Sequence, residues 1–102
     1  MSFIIKERAR LDLKQHWHWI ARDNLNAADK LLRAAEGTFV SIAKNPEIGS
    51  QRSFRKLVRI RSKAIVGFEK YLVFYQQDGD TVVVLRVLHG MRNLPVFFRR
   101  RE

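Results

Sequence analysis

The sequence predicts a single α+β domain: an N-terminal strand, then an antiparallel helical hairpin packed on one face of a small, mainly antiparallel sheet, in the order β-α-α-β-β-β. Three observations predict it. Apolar residues recur at three- and four-residue spacing through the first half, they alternate or run continuously through much of the second, and Asn45-Pro46 separates the two regimes. At 102 residues the chain is long enough for one core, and a second domain is not expected.

Phe3 to Lys6 reads as a short strand. Ala9, Leu13, Trp17, Ile20 and Ala21 then fall on one stripe of a helix. Leu11 and His18 lie on the opposite side and Trp19 lies well off the stripe, so Leu11 and Trp19 are candidates for a partner-binding surface. Their competing reading is partial cover by neighbouring Arg and Lys stems. Asp23-Asn24-Leu25-Asn26 supplies short polar side chains that start a second helix, whose stripe is Ala28, Leu31, Leu32, Ala35, Phe39, Ile42 and Ala43. Gly37 weakens its middle, and Asn45-Pro46 ends it, because the residue before proline is pushed out of the α region.

Residues 49–54 read as a polar connection. Arg55 to Arg61 reads as a strand with Val58 and Ile60 inward and Leu57, Arg59 and Arg61 on the other face. Phe68 to Gln76, rich in aromatic and β-branched residues, is a clearer strand, and Asp78-Gly79-Asp80 is a turn that pairs it antiparallel with Thr81 to Leu88. In that last strand Val83, Leu85 and Val87 share one face, while Val82, Val84, Arg86 and Leu88 share the other. Arg86 is the only charge inside the run. It either lies at the solvated margin of the sheet or pairs with a carboxylate. Asn93 to Arg101 reads as a short terminal helix or as a tail that orders only on a partner.

The formal charge of +10 is unevenly spread: residues 1–50 hold eight Lys/Arg against six Asp/Glu, and residues 51–102 hold twelve against four. A basic field of this kind favours polyanions or an acidic protein partner. No cysteine is present, which removes disulfides and thiolate metal sites. His16 and His18 have no evident carboxylate set, so neither a metal nor a cofactor is expected. No apolar run approaches the length of a membrane span and no signal-peptide pattern opens the chain, so a cytoplasmic location is expected and a membrane is not.

Several segments in order carry a family resemblance: Phe3-Ile4-Ile5 with Ala9 and Asp12-Leu13, Ile20-Ala21-Arg22-Asp23-Asn24 with Ala27-Ala28, Pro46-Glu47-Ile48-Gly49, Tyr71-Leu72-Val73-Phe74-Tyr75, and Arg86-Val87-Leu88-His89-Gly90-Met91-Arg92-Asn93-Leu94. Together they resemble the ParE branch of the RelE/ParE superfamily of toxins from bacterial toxin-antitoxin modules, a group that includes plasmid stabilisation proteins. The resemblance implies the same β-α-α-β-β-β arrangement. It also implies binding to DNA gyrase, stabilisation of the cleaved-DNA complex with no chemistry of the toxin's own, and neutralisation by a cognate antitoxin.

The alternative within the superfamily is a RelE-like, ribosome-dependent mRNA endonuclease. In that reading Arg59, Arg61, Arg86 and Arg92 stabilise phosphorane charge and His89, whose ordinary pKa is about 6.5, moves a proton. The chain departs from the RelE ribonuclease pattern after Leu94, where Pro95-Val96-Phe97-Phe98-Arg99-Arg100-Arg101-Glu102 offers no general base and no stacking tyrosine. The balance therefore leans against an enzyme, and no residue is assigned a catalytic role. Candidate contacts to a protein target or nucleic acid are Arg59, Arg61, Arg86, His89, Arg92, Phe97, Phe98, Arg99 and Arg100, with Arg59 and Arg61 expected on the open sheet face beside Arg86. A plain nucleic-acid-binding module is the third reading.

Overall fold

The structure, a computed structural model, describes residues 2–54 and 57–90, and it leaves the side chains of residues 53–58 undescribed. Seven elements follow in the order β1 (Ser2–Ile5), α1 (Glu7–Ala21), α2 (Leu25–Lys44), β2 (Ser50–Phe54), β3 (Leu57–Ile65), β4 (Phe68–Asp78) and β5 (Thr81–His89). The α+β class and the helical hairpin are as the sequence reading expects, with one strand more. Residues 49–54, read as a polar connection, include β2, which pairs antiparallel with β3. Its polar composition, Ser50-Gln51-Arg52-Ser53-Phe54, suits an edge strand, because an edge is blunted against further pairing by charge and polarity.

Local chemistry explains the boundaries. The Asn24 side chain accepts from the Ala27 amide at 3.0 Å and caps α2. Asn45 leaves the helical region just before Pro46. The turn from β4 to β5 has Gly79 at φ 62°, the conformation that a two-residue hairpin loop places on glycine.

The sheet order is β1-β5-β4-β3-β2, all antiparallel except β1, which runs parallel to β5. One core lies between sheet and helices and includes Leu31, Ala35, Phe39, Ile42, Val73, Tyr75, Val82, Val84 and Val87. A second, smaller cluster of Ile60, Phe74 and Leu88, with Leu72 and Leu85 against it, lies on the opposite sheet face. Ile60 is thus buried away from the helices. Arg61, one residue on, shares the helix-side face with its cross-strand partner Tyr75.

The strict alternation expected along β5 fails at one point. Tyr75 pairs with Val84 and Phe74 with Arg86, so Leu85 is an extra residue in a β-bulge. Beyond it the phase inverts: Val82 and Val84 face the helices, and so does Val87, while Leu85 and Leu88 pack on the far side. The bulge also determines where Arg86 can reach.

Candidate functional site

β1 covers only the first half of β5, from Thr81 to Val84. Past that point no strand among the described residues lies beside the outer edge of β5, and α1 takes that place. Asp12 and His16, one helical turn apart, are 5% and 4% exposed, more buried than the apolar Leu13 and Trp17 of the expected stripe. Asp12 Oδ2 accepts from the Val87 amide at 3.0 Å, and His16 Nε2 lies 2.8 Å from the Val87 carbonyl oxygen. A carbonyl can only accept, so His16 carries its proton on Nε2. The two side chains supply to Val87 what a neighbouring strand would have supplied.

Asp12 also receives Arg86. Its Nε and Nη2 donate to Oδ2 and Oδ1 at 2.8 and 3.1 Å, a bidentate pair whose side chains are 21% and 7% exposed for Arg86 and Asp12. Of the two readings of the lone charge in β5, the carboxylate partner is the one observed. Sequence reasoning named Asp12 only within the family resemblance and His16 only as a metal ligand set aside, and paired neither with β5, although a single arginine in an apolar strand calls for a carboxylate, and Ala9, Asp12 and His16 share one helix face. Beside them the rings of His16, Tyr71 and His89 stack edge-on in series, with centroids 4.8 and 4.9 Å apart. His89 is thereby set against an aromatic wall in register with Tyr71.

A second constellation lies where α2 ends and the helices no longer cover β3 and β4. The Tyr75 hydroxyl donates to the Pro46 carbonyl at 2.7 Å and accepts from the Gly49 amide at 2.9 Å. Arg61 Nη1 donates to the Gly49 and Glu47 carbonyls at 2.7 and 3.3 Å. Gly49 cannot be larger: a Cβ there would stand 2.5 Å from the Tyr75 oxygen and 2.8 Å from the Ser62 carbonyl oxygen. Burial raises the Tyr75 pKa above the ordinary tyrosine value, against the opposing pulls of the Gly49 amide and the Arg61 charge.

These residues border an open cavity of about 430 Å³, with Gln51, Arg59, Arg61, Tyr75 and Gln77 as its floor and the chain at Pro46 and Glu47 as its wall. Arg59 has φ 62°, a left-handed conformation that costs a non-glycine residue on the order of 1 kcal/mol or more. Arg59 and Arg61 are therefore together, but not beside Arg86 as the sequence reading expects. β4 lies between β3 and β5, and Arg86 turns to Asp12 at the far flank.

Leu11 and Trp19 are exposed on α1, at 46% and 54%, and the Arg22 guanidinium, rather than its stem, lies over the Trp19 ring at 5.4 Å. Leu25, Leu32 and Val40 are exposed along one side of α2. Leu32, assigned to the core stripe from sequence, is on this outer side, and Thr38 is buried instead. Arg92, Phe97, Phe98, Arg99, Arg100 and the expected terminal helix lie outside the described residues. Among the described residues no cluster of His, Asp or Glu is placed to hold a metal, and no helix is long and apolar enough to cross a membrane.

Comparison with known proteins agrees with this architecture. The sequence model of the ParE toxin of type II toxin-antitoxin systems (parDE) matches residues 3–94. The chain belongs to the ParE toxin family. Among solved structures it is similar to one described as the chromosomal ParDE toxin-antitoxin system from P. aeruginosa, with a TM-score of 0.70 at 16% identity over 87% of this chain and 95% of that one. At that identity the likeness is one of fold. No curated protein matches the chain. Within the ParE frame, the Asp12–Arg86–Val87 and Tyr75–Gly49–Arg61 constellations are this chain's means of holding α1 and the 45–49 segment on the sheet.

Proposed function

We propose that this ParE-family protein acts as the toxin of a type II toxin-antitoxin pair by binding DNA gyrase in its DNA-cleaving state, without chemistry of its own, and that a cognate antitoxin neutralises it. The observation that carries the non-enzymatic reading is the dispersal of the cations. A phosphorane needs several donors converging on one point, preorganised at about 3 Å from the oxygens that gain charge. Here Arg86 is spent on Asp12, Arg61 on two backbone carbonyls, and His89 stands beside Tyr71 at the opposite end of β4 from Arg59's neighbours. No acid-base pair frames a common point among the described side chains. The exposed apolar residues on the helical hairpin support an antitoxin surface there, because an amphipathic segment folding on binding needs such anchors.

A plasmid-topology assay tests the reading. Purified protein with gyrase, ATP and supercoiled plasmid should yield linear DNA after denaturant and protease treatment. Intact plasmid with a folded, growth-inhibiting sample would reject gyrase poisoning, and cleavage of mRNA on translating ribosomes would then put the endonuclease reading in its place.

A further inference from the structure

We propose that the cavity floored by Arg59 and Arg61 is a recognition site for an acidic side chain, Asp or Glu, presented by a peptide segment of a protein partner. The inference concerns this cavity alone and holds whichever enzyme the toxin attacks.

The cavity's charges are arranged unequally. Arg61 is fixed by the Glu47 and Gly49 carbonyls, so its cation is preset in the floor rather than swinging in solvent. Arg59 is exposed, and among the described residues no hydrogen bond or ion pair engages its guanidinium. Its backbone is held at φ 62°, a conformation that persists only where its surroundings impose it and that recurs at binding sites. A guanidinium presents parallel N–H groups that match the two oxygens of a carboxylate. The neighbouring Gln51 and Gln77 amides add donors that do not depend on charge, and Gln77 Nε2 is already oriented by the Gly79 carbonyl at 3.1 Å.

The rim selects among anions. Glu47 lines the wall, and Gly79, which also lines the cavity, lies between the exposed Asp78 and Asp80 in sequence. The Glu47 carboxylate in the lining puts a negative charge beside the two guanidiniums, so a backbone with a phosphate at every step would meet repulsion at that wall. A peptide places one charge at one point and can present neutral groups to that rim. A volume of about 430 Å³ admits a side chain together with parts of its neighbours, which is more room than a lone ion needs.

The test uses the full-length, ¹⁵N-labelled chain, following the side-chain amides of Gln51 and Gln77 and the Arg59 Nε–H. A capped Gly-Ser-Glu-Ser-Gly peptide, which carries a single carboxylate between neutral neighbours, should shift these resonances saturably. Arg59→Gln should weaken the peptide on the order of tenfold, the size of one lost charge-assisted pair, while Lys30→Gln, which removes the same charge from α2, should not. Arg59→Gly removes the side chain while relieving the backbone strain, so it should reproduce the loss in a chain that folds at least as well. Equal weakening by Lys30→Gln, peptide shifts confined to other surfaces, or tighter saturable binding at these resonances by inorganic phosphate or a 12-base-pair DNA duplex would each overturn the proposal.

Discussion

Tyr75 shows how one side chain can set a whole connection. Its ring is in the helix-side core at 1% exposure, while its hydroxyl bridges Pro46 and Gly49 and so holds the exit from α2 against the sheet. Tyr75→Phe keeps the ring and leaves the Gly49 amide and Pro46 carbonyl without their bridge, an expected loss of about 1–3 kcal/mol in urea denaturation. The pH dependence of that loss follows from the raised pKa. The folded-state value lies above the unfolded value of 10.0, so the hydroxyl's contribution is full below about pH 10 and fades as pH rises through the folded value. The stability gap between wild type and Tyr75→Phe should therefore narrow above pH 10, and a gap that widened there would mean that the phenolate is the favoured form. A tyrosine in an alternating strand reads from sequence as core packing. The ring satisfies that reading, but the hydroxyl's partners lie 26 and 29 residues away and leave no local trace.

At the scale of elements, α1 does the work of a strand. Asp12 and His16 occupy the hydrogen-bonding groups of Val87 where β1 stops short, and Asp12 simultaneously neutralises Arg86. Asp12→Ala would strand a buried amide and a mostly covered guanidinium together. The expected cost is about 2–3 kcal/mol, discounted from a fully buried pair because Arg86 retains contact with solvent. Asp12→Asn, which keeps an acceptor for Val87, should cost less. In a double-mutant cycle, Asp12→Ala with Arg86→Met should fall below the sum of the single changes, and strict additivity would refute the shared network. Elements whose logic is periodic, such as α2 and the β4–β5 hairpin, were legible in the sequence. The ones that failed have physical reasons. β2 is polar because it is an edge, and the bulge at Leu85 inverts a strand's faces without altering the composition that suggests alternation. The burial of Asp12 and His16 reverses the usual rule that the most apolar stripe of a helix is its most buried one.

For the molecule as a whole, the sheet and the outer helical surface divide its tasks. The arginines that sequence alone would place on one cationic face are spread over two flanks, two of them committed to holding the fold, so replacing Arg61 or Arg86 tests stability before it tests target binding. The helical hairpin, by contrast, exposes Leu11 and Trp19 on α1 and Leu25, Leu32 and Val40 on α2. Large exposed apolar groups on a small protein suit an interface, where a tryptophan can carry 2 kcal/mol or more of binding energy, roughly thirtyfold in affinity. Leu11→Ser with Trp19→Ser removes two such anchors without opening the core, so the unfolding free energy should change by about 0.5 kcal/mol or less per site. If the antitoxin docks here, cells carrying this double variant should remain growth-inhibited when the cognate antitoxin is coexpressed at a level that rescues wild type. Equal rescue of both, with the variant confirmed as toxic on its own, would move the antitoxin away from α1 and leave the acidic-side-chain cavity beneath the end of α2 as the surface to map next.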